Sequence, residues 1–209
     1  MSSNLFPVSI ESERLRYEPL HESVDALDLY EYHRSGELDA VLRLLRERPH
    51  ATPKETVEAL AESRDAWESS DRATYAIHKK DGGEFVGVSE LWLEWEKRKV
   101  SFGVWIREPF WGRGYSDERA GAMLYVAFDR LDLDLVSIEH EPENDQSKRS
   151  IGKYVETYGG QFDGVLRNGL PAGDFGGPRD LHLYSISKSQ WRENVSADET
   201  SGYLVTDGR

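Results

Sequence analysis

The chain has 209 residues, of which 38% are hydrophobic and 11% aromatic. That is too apolar for a disordered polymer and long enough for one domain with its own core. Its 26 Lys and Arg stand against 39 Asp and Glu, a formal net charge of −13, which argues against a nucleic-acid binder that neutralises phosphates with basic residues, and no apolar run approaches the roughly 20 residues that span a bilayer.

Of the basic residues, 8 are Lys and 18 are Arg. Abundant carboxylates with little Lys predict adaptation to high salt, where ions screen the self-repulsion. Cys is absent, so disulfides, thiolate metal sites and Cys nucleophiles are excluded together. Met1 to Leu15 lacks a basic stretch followed by an apolar one. No signal peptide is therefore expected, and the chain reads as cytoplasmic without membrane attachment. His21, His33, His50, His78, His140 and His182 are scattered without a ligand-like spacing, so no metal site is expected.

In chain order, residues 14–19 alternate and end at Pro19, which predicts a strand. Val24, Leu27, Leu29 and Tyr30 have helical spacing, stopping near Gly36. Thr52-Pro53-Lys54-Glu55 predicts a helix start with a capping box, continued by Val57, Leu60, Ala61, Arg64 and Trp67. Strands follow over Ala73 to His78, Phe85 to Glu94 and Val100 to Ile106, turned at Asp81-Gly82-Gly83 and at Lys97-Arg98. Arg107 to Gly114 is a loop, and Ala120 to Leu131 carries a helical apolar face. A short strand over Val136 to His140 precedes a helix from Asn144 to Tyr158, closed by Gly159-Gly160. Phe162 to Leu166 and Leu181 to Ser187 predict two closing strands. The whole reads as one α+β domain over residues 1–191, with a mixed, mostly antiparallel central sheet flanked by helices, and a polar tail over 192–209.

The chemically informative stretch is Val104-Trp105-Ile106-Arg107-Glu108-Pro109-Phe110-Trp111-Gly112-Arg113-Gly114-Tyr115-Ser116. It is a strand, a Gly-x-Gly turn and a helix start. A helix start offers unpaired N–H groups and partial positive charge, suited to a pyrophosphate, and glycine lets the backbone approach it. Neither a Walker loop nor a complete dinucleotide fingerprint is present.

Arg14-Leu-Arg, the strand meander, Trp111-Gly-Arg-Gly-Tyr-Ser, Asn144-x-x-Ser147, Gly164-Val-Leu-Arg-Asn168 and the segment Asp180 to Trp191 occur in one order. This order resembles the GNAT superfamily of acetyl-CoA-dependent N-acetyltransferases, and within it the Rim-type branch of ribosomal-protein N-terminal acetyltransferases. The resemblance implies the GNAT acyltransferase fold and acetyl-CoA as co-substrate. It implies that Val104, Trp105 and Ile106 bond the pantetheine arm through their backbone. Gly112, Arg113, Gly114, Tyr115 and Ser116 would hold the pyrophosphate, and Asn144 would reach the pantetheine. Pro109 stands where the family often has Gln or Arg.

An amine acceptor is mostly protonated near neutral pH and needs a base. Glu90 and Glu94 share one face of their strand, away from Leu91 and Leu93. Glu90, in mid-strand, is the candidate base; the alternative is that both glutamates simply face solvent. Tyr154 and Ser147, seven residues apart on one helix, are candidate proton donors to the leaving thiolate, although core packing accounts equally well for Tyr154. His140 ends a strand beside the cleft and reads as a surface residue. Trp92, Trp95, Trp105 and Trp111 read as core and cleft wall. The function expected is acetyl transfer to a primary amine, on a protein N-terminus or a small molecule, by a chain compatible with a homodimer. The competing reading is a non-catalytic acyl-CoA-binding regulatory module of the same fold.

The charge carries a test of its own. The melting temperature is expected to climb with KCl into the molar range as carboxylate repulsion is screened; a flat profile from low salt upward would show the acidity to be incidental.

Overall fold

The computed structural model describes residues 5–45, 47–172, 176–196 and 202–208. Its centre is a nine-stranded sheet of β1 (Ser9–Glu11), β2 (Leu15–Pro19), β3 (Arg72–Lys79), β4 (Phe85–Glu94), β5 (Lys99–Ile106), β6 (Leu135–His140), β7 (Gln161–Leu170), β8 (Arg179–Ser187) and β9 (Leu204–Thr206). The spatial order is β7-β8-β6-β5-β4-β3-β2-β1-β9. Among the described residues every neighbouring pair is antiparallel except β5–β6. The helices are α1 (Leu20–Ser23), α2 (Ala26–Arg34), α3 (Asp39–Leu45), α4 (Pro53–Glu68), α5 (Tyr115–Tyr125), α6 (Asp145–Thr157) and α7 (Lys188–Asn194). The chain is mixed α+β, with an open, mostly antiparallel sheet flanked by helices. None of the described helices is long and apolar enough to cross a membrane.

Alternation along the strands sorts the core into two faces. Ala76 pairs with Val88, and both pack with Leu20, Leu29 and Leu60 of α1, α2 and α4. The intervening Tyr75, Ile77, Leu91 and Phe102 face the larger cluster, with Ala120, Met123 and Leu124 of α5 and Ile151, Tyr154 and Val155 of α6. The hairpin β3–β4 turns through Gly82 and Gly83, both left-handed.

Several expectations need correction. The helical spacing of residues 24–36 is α2, with Asp25 accepting from the N–H groups of Leu27 and Asp28 as its cap, but the separate turn α1 before it was not anticipated. Helix α3 was not anticipated, because only Val41 and Leu42 of it are buried and so short a stripe carries little periodicity. Thr52 does not close a capping box. Its hydroxyl donates to Glu55, whose other oxygen accepts from the N–H of Ala51. The helix of residues 120–131 begins at Tyr115 and ends in a wider π turn, Val126–Arg130. Residues beyond the expected boundary at 191 also take part in the sheet. Strand β9 pairs with β1, and Val205 and Tyr203 pack against the core, so this part of the C-terminal segment is an edge of the sheet. A three-residue strand with only one half-buried position has no readable alternation.

Two histidines fasten the helical cap. The rings of His33 (α2) and His50 stack with centroids 3.9 Å apart. The His50 N–H donates to His33 Nδ1 at 3.3 Å, and His50 Nδ1 lies 2.8 Å from the Thr56 hydroxyl. Burial first, and the neighbouring His50 second, push His33 down to about 4; burial lowers His50 as well. A folded-state pKa below the unfolded one means that the unfolded chain takes the proton more readily. This contribution is present above about 6.5, the unperturbed value, and is lost as pH falls from there through about 4. Replacing His33 by Phe, which keeps the stacking but cannot titrate, is expected to flatten the decline of melting temperature over that window relative to wild type. An unchanged difference between the two proteins across the window would remove His33 as its source.

Candidate active site

The parallel register of β5 and β6 runs from Lys99–Leu135 to Phe102–Ile138 and then stops, although β5 continues to Ile106 and β6 to His140. Beyond that point β5 is paired with a strand on one side only, through Val104–Ser89, Trp105–Val88 and Ile106–Gly87. Its other edge opens into a cleft of about 530 Å³. Val104, Trp105 and Ile106 line this cleft, with Gly112, Arg113, Gly114, Tyr115 and Ser116 at one end and Asn144 and Ser147 on the α6 wall. Sequence reasoning named these residues from separate motifs, and the fold gathers them around one void.

The turn at the head of α5 is held from several directions. Gly112 and Gly114 have φ of +72° and +79°, where an L side chain is strained. Gly114 is the N-cap of α5 and offers no side chain to its first-turn N–H groups. Upstream, the Trp111 indole donates to the Ile106 carbonyl at 2.6 Å, folding the loop back onto β5. Across the cleft, the Ser150 hydroxyl donates to Ser116 at 2.7 Å, and Lys153 pairs with Asp117, joining α6 to α5.

Asn144 caps α6. Its side-chain oxygen accepts from the Ser147 N–H at 3.0 Å, leaving the amide NH2 for anything in the cleft. Sequence reasoning missed Arg149 and Lys153, which line the same wall as Ser147 and bring positive charge to a strongly acidic chain. The signal was present as basic residues spaced four apart, i to i+4, just after Asn144. It also missed Val41, Leu44 and Leu45 of α3, which roof the cleft with apolar surface. The turn between α2 and α3 is tethered by Arg107, which follows β5. That guanidinium pairs with Glu37, donates to the Phe85 carbonyl at 2.6 Å and lies 4.3 Å from the centre of the Tyr32 ring.

Glu90 stands on the α1–α4 face of β4, opposite Thr74 on β3 and Gly103 on β5. A Cβ on Gly103 would lie 3.0 Å from Glu90 Oε2, so the carboxylate sits over β5 one residue before the cleft-lining Val104. The Trp92 indole donates to Glu90 Oε2 at 3.3 Å, and the Thr74 hydroxyl to Oε1 at 3.5 Å. Burial raises the Glu90 carboxyl above its ordinary value, against the opposing pull of Arg72 and these two hydrogen bonds. Loss of solvent, and Glu90 itself, likewise raise Glu47. Glu94 is different in kind: it is engaged by Lys97 and Lys99 at the hairpin end, which lower its pKa.

Tyr154 and His140, like Glu90, are not among the residues that line the cleft. Tyr154 is 1% exposed and does not line it. Its ring is inside the core, where burial pushes the hydroxyl up to about 12 beside the fully buried Arg119. Proton donation to a thioester sulfur would need that hydroxyl in the cleft, and the hydroxyls of α6 that line it are those of Ser147 and Ser150. His140 is not a surface residue. It is buried against Tyr184, 5.6 Å between stacked ring centres, with Nδ1 held 2.7 Å from the Glu141 carbonyl oxygen. Trp105 and Trp111 do form cleft wall, but Trp92 and Trp95 are exposed rather than core. No group of three or more His, Cys, Asp or Glu fit for a metal ion occurs among the described residues.

An open strand edge beside a Gly-x-Gly helix start suits a long ligand that carries a phosphate group. The sequence matches the family described as Acetyltransferase (GNAT) domain over residues 14–154. The chain belongs to this GNAT acetyltransferase family. A Bacillus subtilis protein, YdaF, named "Putative ribosomal N-acetyltransferase", is 30% identical over 102 residues, covering 47% of this chain and 51% of that protein. The matched part thus spans about half the length of that curated relative. RimJ of Mycobacterium smegmatis, solved with CoA-disulfide, shares the fold at a TM-score of 0.72 and 18% identity, over 95% of this chain and 94% of that one. A GCN5-related N-acetyltransferase from Brucella melitensis gives 0.72 and 23%, over 88% and 80%.

The family's co-substrate is acetyl-CoA, and the left-handed turn at Gly114 permits a direct test. Space is not limiting, since a Cβ there would meet only Arg14 Nη2 at 3.5 Å; the obstacle is the backbone angle, costing about 1–2 kcal/mol for an L residue. Gly114→Val is expected to relax that turn and abolish CoA binding in calorimetry while leaving the circular dichroism spectrum intact. Wild-type affinity in the variant would place the pyrophosphate elsewhere.

Proposed function

We propose that this chain is an N-acetyltransferase that moves the acetyl group of acetyl-CoA directly to a primary amine. The observation that carries the reading is the juxtaposition at Gly103. The desolvated Glu90 carboxylate lies over this residue on one face of the sheet, and the cleft between β5 and β6 opens immediately after it. The pantetheine arm would lie along the free edge of Val104, Trp105 and Ile106. The pyrophosphate would lie on Gly112 to Ser116, with Arg149 and Lys153 on the facing wall. The acceptor then approaches from the Glu90 side.

In this mechanism Glu90, directly or through water, takes a proton from the acceptor ammonium. The amine nitrogen attacks the thioester carbonyl carbon, an N–C bond forms as the C–S bond breaks, the CoA sulfur leaves with the electron pair, and the surplus proton of the acylated nitrogen passes to that thiolate. Backbone N–H groups on the open edge of β5 would polarise the carbonyl oxygen. Ser147, a hydroxyl that lines the cleft, would relay that proton to the thiolate. No Cys is present to form an acyl-enzyme. The acceptor is a protein N-terminus or a small-molecule amine; that the Bacillus subtilis relative is named a putative ribosomal N-acetyltransferase favours a ribosomal one. A non-catalytic acyl-CoA-binding module would have no use for a desolvated carboxylate beside the thioester.

Release of free CoA with a panel of amines tests the reading: turnover with any amine supports an enzyme, and CoA binding without turnover supports the module. Glu90→Gln is expected to lower the rate about 10²–10⁴-fold, the usual worth of a general base, with acetyl-CoA affinity unchanged. Because Glu90 titrates above an ordinary carboxylate, the acid limb of kcat/KM should lie above about 4.3. Rate is lost as pH falls through the raised value, and the penalty of the substitution shrinks at high pH where free amine abounds. A variant as fast as wild type near neutrality would return Glu90 to a strand residue.

A further inference from the structure

We propose that Arg14 is a positioning residue for the pyrophosphate turn, fixing the Arg113–Gly114 peptide so that the Gly114 N–H faces the cleft. The inference rests on the cofactor site proposed above and goes beyond it to a residue outside the cleft lining. Arg14 lies in the turn between β1 and β2, 99 residues from Arg113 in sequence. Its Nη1 donates to the Arg113 carbonyl at 3.0 Å, while its Nε donates to Glu118 Oε2 at 2.7 Å. Its backbone N–H and the Ser12 hydroxyl both donate to Glu118 Oε1, at 2.7 and 2.6 Å. The guanidinium carbon lies 4.8 Å from the centre of the Tyr115 ring.

These contacts form a closed bracket. Glu118, in the first turn of α5, is held by three donors and is only 12% exposed along its side chain. The planar guanidinium then spans from that carboxylate to the Arg113 carbonyl with a fixed reach, which a lysine cannot reproduce.

The consequence is geometric. In a trans peptide the C=O and N–H point in opposite directions. With the Arg113 carbonyl turned to Arg14, the Gly114 N–H is turned the other way, to the cleft that Gly114 lines. A glycine at φ of +79° has little steric barrier to flipping that peptide. A flip would aim the carbonyl dipole at the anion. The bracket prevents the flip, and it also neutralises a carboxylate that otherwise stands unpaired in the first turn of the anion-binding helix.

Calorimetry with CoA and with pantetheine, which lacks the pyrophosphate, tests the proposal on Arg14→Gln, Glu118→Gln and Arg14→Lys. The two neutral variants should each bind CoA about tenfold or more weakly, the scale of one lost charge-assisted hydrogen bond. Pantetheine affinity should be unchanged. The double variant should bind no more weakly than either single one, because the pair acts as a unit. Arg14→Lys, which keeps the charge without the fork, should resemble Arg14→Gln. In NMR the Gly114 amide proton should move downfield with CoA in wild type and fail to do so in Arg14→Gln. Unchanged CoA affinity, equal losses for CoA and pantetheine, or full recovery in Arg14→Lys would each overturn the positioning role. A wild-type protein that does not bind CoA would instead overturn the cofactor site itself.

Discussion

The parting of β5 from β6 is the constraint on which the rest of this architecture depends. A sheet satisfies its backbone groups by pairing every strand on both sides, and leaving an interior edge open is costly unless something else bonds to it. Here the register is lost after Phe102–Ile138 while both strands continue. What keeps the gap open is packing on either side. Trp111 draws the loop after β5 back to the Ile106 carbonyl, and Arg107 anchors the same strand end to Phe85 and to Glu37 in the turn before α3. On the other bank, Asn144 starts α6 directly after β6, and the bonds from Ser150 and Lys153 to α5 hold that helix across the opening. The free edge of β5 is thus a fixed row of donors and acceptors, which suits an amide-bearing arm such as pantetheine.

Charge is distributed against the grain of the composition. The chain carries −13 overall, a field that would repel a polyphosphate from most of the surface. Arg113, Arg149 and Lys153 collect at the cleft, next to a helix start left uncapped by any side chain. The acidic residues of that first turn are answered locally: Asp117 by Lys153, and Glu118 by Arg14. The helix start therefore keeps its partial positive charge despite two carboxylates within one turn. Glu90, by contrast, is raised by desolvation on the opposite face of β5. The proposed cofactor and acceptor sides of the site differ in electrostatic character because the sheet separates them.

The parts legible in the sequence are those whose physics is local. The Gly112–Gly114 turn, the Asn144 cap and the meander through β3, β4 and β5 are set by backbone preference, capping and alternation, and those signals survive without tertiary context. The parts that were not legible depend on partners far away in the chain. Tyr154 and Ser147 share a helical face by spacing, yet seven residues further along α6 the Tyr154 ring lies in the core beside Arg119 and not on the cleft wall. His140 reads as a surface residue at a strand end until β8 supplies Tyr184 and His182 around it. Strand β9 has too few residues to announce itself and exists because β1 offers an edge.

The same dependence explains why no single residue of this site is a sufficient signature. Gly103 has no chemistry of its own, yet a side chain there would displace the Glu90 carboxylate. Ser12 and Arg14 precede the Gly-x-Gly turn by about a hundred residues and belong to a different part of the sheet. Because α5 packs against β2 and not merely beside the turn it follows, that distant β1–β2 corner can brace the turn's outer side while the cleft side stays open. A Gly-x-Gly segment transplanted without the corner would keep its flexible glycines and lose the restraint on the peptide between them. In this fold, glycine provides the permitted backbone conformation, and the surrounding hydrogen bonds decide which of the permitted conformations is held.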